Sequence, residues 1–232
     1  DNILGWLAII LAVIATAGFL PSLMERGVIE VVLSKPLPRW KVFLGKYIGS
    51  LMFFAVHAVI FVVLTFFVVG FRWGAWVPGY LLGIPLTVLL FSFVYCVSAL
   101  VAVTTRSSVA AILITLGAWV GFAGIQSLGD AFEMYPEWKD SRMIYQTATV
   151  LRWVVPKTQD LTYIARKWSG AASPLEMLGE PKDRKDREML DRASQAEKAR
   201  QEIRPVYSIG TSLLFETAVV LLAMWKFSRQ DY

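Results

Sequence analysis

The sequence has one cysteine, Cys96, and one histidine, His57. A lone cysteine excludes an internal disulfide, and with a single histidine beside it no conventional His/Cys metal site or Ser-His-Asp triad is expected. No P-loop pattern occurs, so the loop that cradles ATP phosphates is not in this chain. The motifs H-E-x-x-H and G-x-S-x-G are also missing. Charge is scarce along most of the chain. Residues 129–205 hold 14 of the 23 Lys/Arg and 13 of the 18 Asp/Glu. The net charge of +5 does not read as a nucleic-acid surface. Outside that segment the basic residues sit at the ends of apolar runs, where membrane topology accounts for them.

What is abundant is apolar surface. The chain is 56% hydrophobic, against about 45–50% for a soluble domain. Its mean hydropathy is +0.54. The excess falls in runs of roughly 18–28 residues, the length that crosses about 30 Å of hydrocarbon as a helix. The expected fold is therefore all-α, a polytopic helical membrane protein with five visible spans: residues 3–20, 42–70, 79–104, 109–128 and 206–225. Pro21 is expected to close the first, and Pro85 to bend the third. The second is too long for one perpendicular crossing, so it tilts or begins at the interface. Three sections follow: 1–128 with four spans, a charged helical loop at 129–205, and 206–232 with the last span and a tail. The chain begins with Asp1 and shows no signal-peptide pattern, so a segment before Asp1 is expected.

Topology follows from charge. The 21–41 loop, the 105–108 turn and the C-terminal tail fall on one side. With Lys46 they carry Arg26, Lys35, Arg39, Lys41, Arg106, Lys226 and Arg229, opposed by Glu25, Glu30 and Asp231. The positive-inside rule puts this side in the cytoplasm and the 129–205 loop outside. In that loop, residues 150–168 mix apolar and basic side chains and suit the membrane surface. Residues 180–204 alternate in charge and read as a solvated helix, either a spacer or a partner-binding arm.

Polar residues inside the spans are few: His57, Thr65, Thr87, Ser92, Tyr95, Thr115 and Glu216. A carboxylate in a span must be protonated, paired or turned to a cavity. Pairing of Glu216 with His57 or with a neighbouring helix is the structural reading; a substrate or proton site at His57 and Glu216 is the functional one. His57 itself is expected to bond a neighbouring helix. Gly45/Gly49 and Gly117/Gly121 each form G-x-x-x-G and permit close helix approach. So few polar groups mildly favour an amphiphilic cargo, or a mechanical role without a wide aqueous pore.

The 21–49 stretch is the most informative. Ser22 to Glu25 has the capping-box spacing, and a moderately amphipathic helix is expected over 23–33, ended by Pro36 and Pro38. It would rest on lipid or dock on another protein. Glu25-Arg26-Gly27, then Leu33-Ser34-Lys35-Pro36, then Arg39, then Leu44-Gly45-Lys46 resembles the signature of ABC-transporter permeases of the type-2 exporter family. One departure is that the glutamate is followed directly by Arg-Gly instead of a spaced glycine. The Val155-Pro156 stretch after the fourth span and the closing Phe-Ser-Arg-Gln-Asp also look like family members.

The resemblance implies six membrane helices in the full chain, with one before Asp1. It implies a cytoplasmic coupling helix, here residues 22–34, and an extracytoplasmic loop before the last helix. It further implies a second permease copy, identical or not, and a separate ABC ATPase subunit that holds ATP and Mg, with no cofactor in this chain. Glu25, Arg26, Gly27 and Glu30 would meet the ATPase, while Lys35 and Arg39 would anchor to it or to lipid headgroups. The place would be the inner or plasma membrane, and membrane lipids would be partners. Two other readings remain open on the residues alone: a membrane scaffold or assembly factor acting through 129–205, and an intramembrane enzyme using Glu216 and His57.

Overall fold

The structure is a computed structural model that describes residues 2–25, 27–28, 38–135, 142–169 and 205–230, with isolated positions between 184 and 194. Among the described residues there are helices and turns and no strands. In chain order they are α1 (Asn2–Thr16), α2 (Phe19–Leu23), α3 (Arg39–Trp73), a 3-10 turn (Pro78–Leu82), α4 (Gly83–Thr105), α5 (Ser108–Met134), α6 (Arg142–Val154), α7 (Thr158–Ser169) and α8 (Pro205–Arg229). Four segments are long and apolar enough to cross a membrane: Arg39–Trp73, Pro78–Thr105, Ser108–Phe132 and Pro205–Arg229. A shorter apolar helical segment covers Leu7–Leu23. This is the all-α polytopic membrane architecture that the hydropathy pattern predicts.

The centre is α4. Two thirds of its apolar window is buried, against about a fifth or less for the other three long helices. It carries no charge, and Ser92, Ser98, Ala99 and Ala102 keep its neighbours close. It packs against α1, α2, α3, α5, α7 and α8. Each neighbour turns one helical stripe toward it. On α3 the stripe is Phe43, Tyr47, Ser50, Phe54, Ala58 and Val62. On α5 it is Ala111, Thr115, Trp119, Ala123 and Gln126. Spacings of three and four residues keep such positions on one face. The remaining faces expose large apolar side chains, as a lipid-facing surface does.

Helix ends differ from the hydropathy boundaries. Pro21 does not close the first span. The helix is interrupted at Ala17–Gly18, and Pro21 is the third residue of α2, in a first turn that does not need its missing N–H. Ser22 is not a capping residue: it lies inside α2 and its Oγ donates to Phe19 O at 3.1 Å. Helix α3 runs 35 residues, roughly 50 Å, and reaches Trp73. It ends on Gly74 at φ 68°, whose N–H donates to Gly70 O at 2.9 Å. A Cβ on Gly70 would lie 2.8 Å from the Trp76 ring, which packs on Phe66, Phe67 and Phe71 in an interfacial aromatic cluster. The third span begins as the 3-10 turn, and Pro85 sits in the first turn of α4. At the α4–α5 turn, Arg106 takes φ 54° and Ser107 Oγ accepts from the Ala110 N–H.

Among the described residues, the two G-x-x-x-G pairs do not mediate contact. At Gly45, Gly49, Gly117 and Gly121 an added Cβ would meet nothing within 4 Å. The reason is that α3 and α5 present their larger side chains, such as Phe43 and Trp119, to α4.

Residues 150–168 are not one continuous helix, and the apolar side chains Val150, Trp153 and Val154 at their start are exposed. They divide into the end of α6 and most of α7, and Leu161 and Ile164 of α7 are buried in the bundle. The turn between them is held by side chains from two spans. Gln126 Nε2 donates to Pro156 O at 2.6 Å, and Gln126 Oε1 accepts from the Gln159 N–H at 2.8 Å. Ser212 Oγ accepts from the Lys157 N–H at 2.9 Å. Polar side chains on α5 and α8 thus satisfy a turn that an apolar bundle would reject.

Candidate functional site

The coupling segment falls mostly outside the described residues. Arg26, Glu30 and Lys35 lie there, with most of the expected 23–33 helix. What is described is how the segment is held. On its N-terminal side, Leu20, Leu23 and Met24 are buried where α2 packs on α3 and α4. Met24 and Glu25 are outside α2, so no single helix starts at Ser22 and runs through them. Glu25 is exposed, and Gly27 takes φ 89°, a left-handed conformation that suits glycine alone among common residues. On its C-terminal side, α3 begins at Arg39, whose Nη1 donates to Gln230 O at 2.6 Å. Gln230 Nε2 in turn donates to Val103 O at 2.9 Å. Segment 24–38 is thus tied at one end to α3 and α4, and at the other to the termini of α3, α4 and α8.

The intramembrane carboxyl is paired, but not with His57. Tyr47 Oη donates to Glu216 Oε1 at 2.8 Å, and Ser92 Oγ lies 3.0 Å from Glu216 Oε2. One side chain of α8 thereby engages both α3 and α4. Beside it, Tyr95 Oη donates to Ser50 Oγ at 2.8 Å, and Ser50 Oγ to Lys46 O at 2.9 Å. An aromatic ladder frames the cluster. Phe54 stacks on Phe91, Phe91 on Tyr95, Tyr95 on Tyr47, and Phe43 lies between Tyr47 and Phe227 of α8.

His57 lies elsewhere. Its Nδ1 is 2.8 Å from Phe53 O on its own helix, and its ring is 4.4 Å from the Phe53 ring. The expectation that it bonds a neighbouring helix is corrected: the i−4 carbonyl of α3 is nearer. Ten residues of helix separate it from Tyr47, about 15 Å of rise. Glu216, held opposite Tyr47, therefore cannot share a proton with His57 in this arrangement. The geometry that an enzyme using both would need is missing. Among the described residues, no three His, Cys, Asp or Glu side chains assemble a metal site.

Tyr47 is the residue that sequence reading missed, and Ser92 and Tyr95 were legible only as isolated polar groups in a span. The signal for Tyr47 is its place in the stripe 43, 47, 50, 54, which is the buried face of α3.

On the extracytoplasmic side of the expected topology, Lys157 forms a second polar cluster. Its residue is only 7% exposed, with Nζ 4.0 Å from the Tyr207 ring centre. Asp160, one turn on, accepts from Ser208 Oγ of α8. Burial lowers the Lys157 pKa from its ordinary value; Asp160 opposes that shift and Arg152 adds to it.

A helical bundle with four segments long and apolar enough to cross a membrane is the architecture of a multi-pass membrane protein. The family described as ABC-2 family transporter protein matches residues 3–232, and the chain belongs to that family. It is a permease subunit of an ABC transporter. No curated protein and no solved structure matches it.

Proposed function

We infer that this permease converts ATP hydrolysis by a separate ABC ATPase into movement of a substrate across the membrane, with residues 22–39 as the element on which the ATPase acts. The observation that carries the reading is the clamping of segment 24–38 at both ends. A push on a free loop dissipates in the loop. A push on this one reaches α3, α4 and α8, the three helices that meet at Glu216. ATP on the partner shifts the permease only if the ATPase states it favours bind the permease conformations with different affinity.

Glu25 is exposed at the start of the segment and is proposed to contact the ATPase, with Arg26, Gly27, Glu30 and Lys35 beyond it. Arg39 serves as the hinge anchor. ATP and Mg sit on the partner, a second permease subunit completes the transporter, and the cell membrane is its place.

The test is co-purification of the full-length protein in mild detergent, scored for a stoichiometric P-loop ATPase. Glu25→Arg reverses an exposed charge and is expected to remove the ATPase, leaving expression and monodispersity unchanged. An ATPase retained at full stoichiometry, with normal ATP-dependent transport, would overturn the assignment of this segment.

A further inference from the structure

Helix α1 packs on α4 and α5, and α2 on α3 and α4. Between α1 and α3 the bundle leaves a cavity of about 920 Å³. That is near the top of the ~300–1,000 Å³ range of small-molecule sites. Its walls are apolar: Ile9 and Ala12 of α1, Phe54 and Ala58 of α3, Leu86 and Leu90 of α4. Phe53 also lines it and meets Phe19 of α2 edge-on at 5.4 Å. Leu11, Phe53 and Phe61 line the cavity and are strongly exposed, so it opens sideways onto the lipid-facing surface.

Polar side chains reach it from several elements, His57 of α3 and Tyr80 of the 3-10 turn among them, and α7 adds a row of its own. Thr158, Thr162 and Arg166 recur every four residues along it and share one face, with Gln159 beside them. Gln159 is already engaged, since its Nε2 bonds Ala123 O and Ser127 Oγ. Helix α7 packs against the 3-10 turn and α4, so its polar face lies toward the membrane boundary where α4 begins. Among the described residues, Arg166 is the sole Lys, Arg, Asp or Glu on the cavity lining. Lys167 follows it, exposed, in the same last turn. An apolar cleft open to lipid, with cationic charge and hydroxyls at one boundary and no carboxylate on its lining, has the polarity of an anionic amphiphile turned inside out.

We propose that this cavity binds one anionic phospholipid from the surrounding bilayer, with an acyl chain between α1 and α3 and the phosphate on Arg166. The guanidinium supplies charge-assisted hydrogen bonds to phosphate oxygens; the Thr162 hydroxyl is already donated to Gln159 O at 2.7 Å. Ala12 and Ala58 leave the space the chain occupies. The proposal stands apart from coupling to an ATPase, because binding needs neither nucleotide nor partner.

The test uses the full chain purified in a neutral detergent, with phosphatidylglycerol and phosphatidylcholine as probes and native mass spectrometry as the readout. One phosphatidylglycerol per chain is expected to be retained in preference to phosphatidylcholine. Arg166→Gln should weaken phosphatidylglycerol binding by about tenfold and phosphatidylcholine binding less. Lys41→Gln, at the other end of the bundle, should leave both unchanged. Ala58→Trp and Ala12→Phe fill the cleft separately, and whichever remains monodisperse and helical should retain neither lipid. Equal retention of the two lipids overturns the proposal. So does an Arg166→Gln preference identical to wild type, or lipid retained in a folded cavity-filling variant.

Discussion

Replacing Glu216 by glutamine and by alanine tests whether this carboxyl is a fastener or a working acid. Ser92 Oγ lies 2.8 Å from Leu89 O and 3.0 Å from Glu216 Oε2, yet a hydroxyl owns one hydrogen. A neutral carboxyl resolves the competition. It donates from Oε2 to Ser92, Ser92 donates to Leu89 O, and Tyr47 donates to Oε1. Every polar group is then satisfied without a cation. Glutamine reproduces this pattern, with its amide as the donor and its carbonyl as the acceptor, so Glu216→Gln should change stability by less than about 1 kcal/mol.

Alanine does not reproduce it. Two interhelical hydrogen bonds are lost, at about 0.6 kcal/mol each in a membrane protein. The Tyr47 hydroxyl, on a residue 4% exposed, is stranded, which costs a further ~1–3 kcal/mol. Glu216→Ala should therefore cost roughly 2–4 kcal/mol on these terms. In a Tyr47→Phe background it should cost much less, because no donor is stranded. The assay is unfolding by sodium dodecyl sulfate titration in mixed micelles, read by circular dichroism, for the four proteins and the double variant. Glutamine as damaging as alanine, or alanine within 0.5 kcal/mol of wild type (a margin of about the error of such cycles), would refute the fastener. Normal transport by Glu216→Gln would also remove any need for the carboxyl to release its proton.

Lys157 gives a pH dependence of known sign. Its pKa is lowered in the folded protein chiefly by burial, so between that lowered value and the ordinary 10.5 the unfolded chain binds more protons. Stability must rise with pH across that window. Relative to Lys157→Met, wild type should therefore gain thermal stability as the pH rises toward 10.5, and a flat or falling difference would contradict the burial. At the end of α3, Gly74 holds φ 68°, so Gly74→Ala should cost about 1 kcal/mol and Gly74→Asn less. An alanine variant as stable as wild type in the same titration would mean that the left-handed cap is not needed.

The sequence makes the spans visible because lipid imposes a one-dimensional rule: about twenty apolar residues in a row. It also marks one end of α3 with the basic residues Arg39, Lys41 and Lys46. It does not tell which helix is central. Helices α3 and α4 are both uncharged apolar runs over most of their length, yet only α4 is buried on most sides. In a soluble protein the buried helix is the more apolar one. In a membrane both faces are apolar, and position is decided by packing of small residues and by the few polar pairs. Those pairs join residues far apart in sequence, Tyr47 and Ser92 to Glu216, and a single sequence carries no spacing that links them.

The same argument explains why His57 was the natural but incorrect partner for Glu216. Both are the conspicuous ionisable groups of their spans, and such groups in a span commonly pair with one another. The demand is for a satisfied hydrogen bond, and nearer groups can meet it. His57 finds the carbonyl of Phe53 one turn back, and Glu216 finds hydroxyls on two adjacent helices. Hydroxyl-bearing residues cost little to place in a span, so they are available to satisfy a carboxyl wherever the stripes of three helices converge. A polar residue in a membrane helix is therefore better matched to its partner by helical face than by charge. The stripe Phe43, Tyr47, Ser50 on α3 identifies the face on which the partner of Glu216 had to lie.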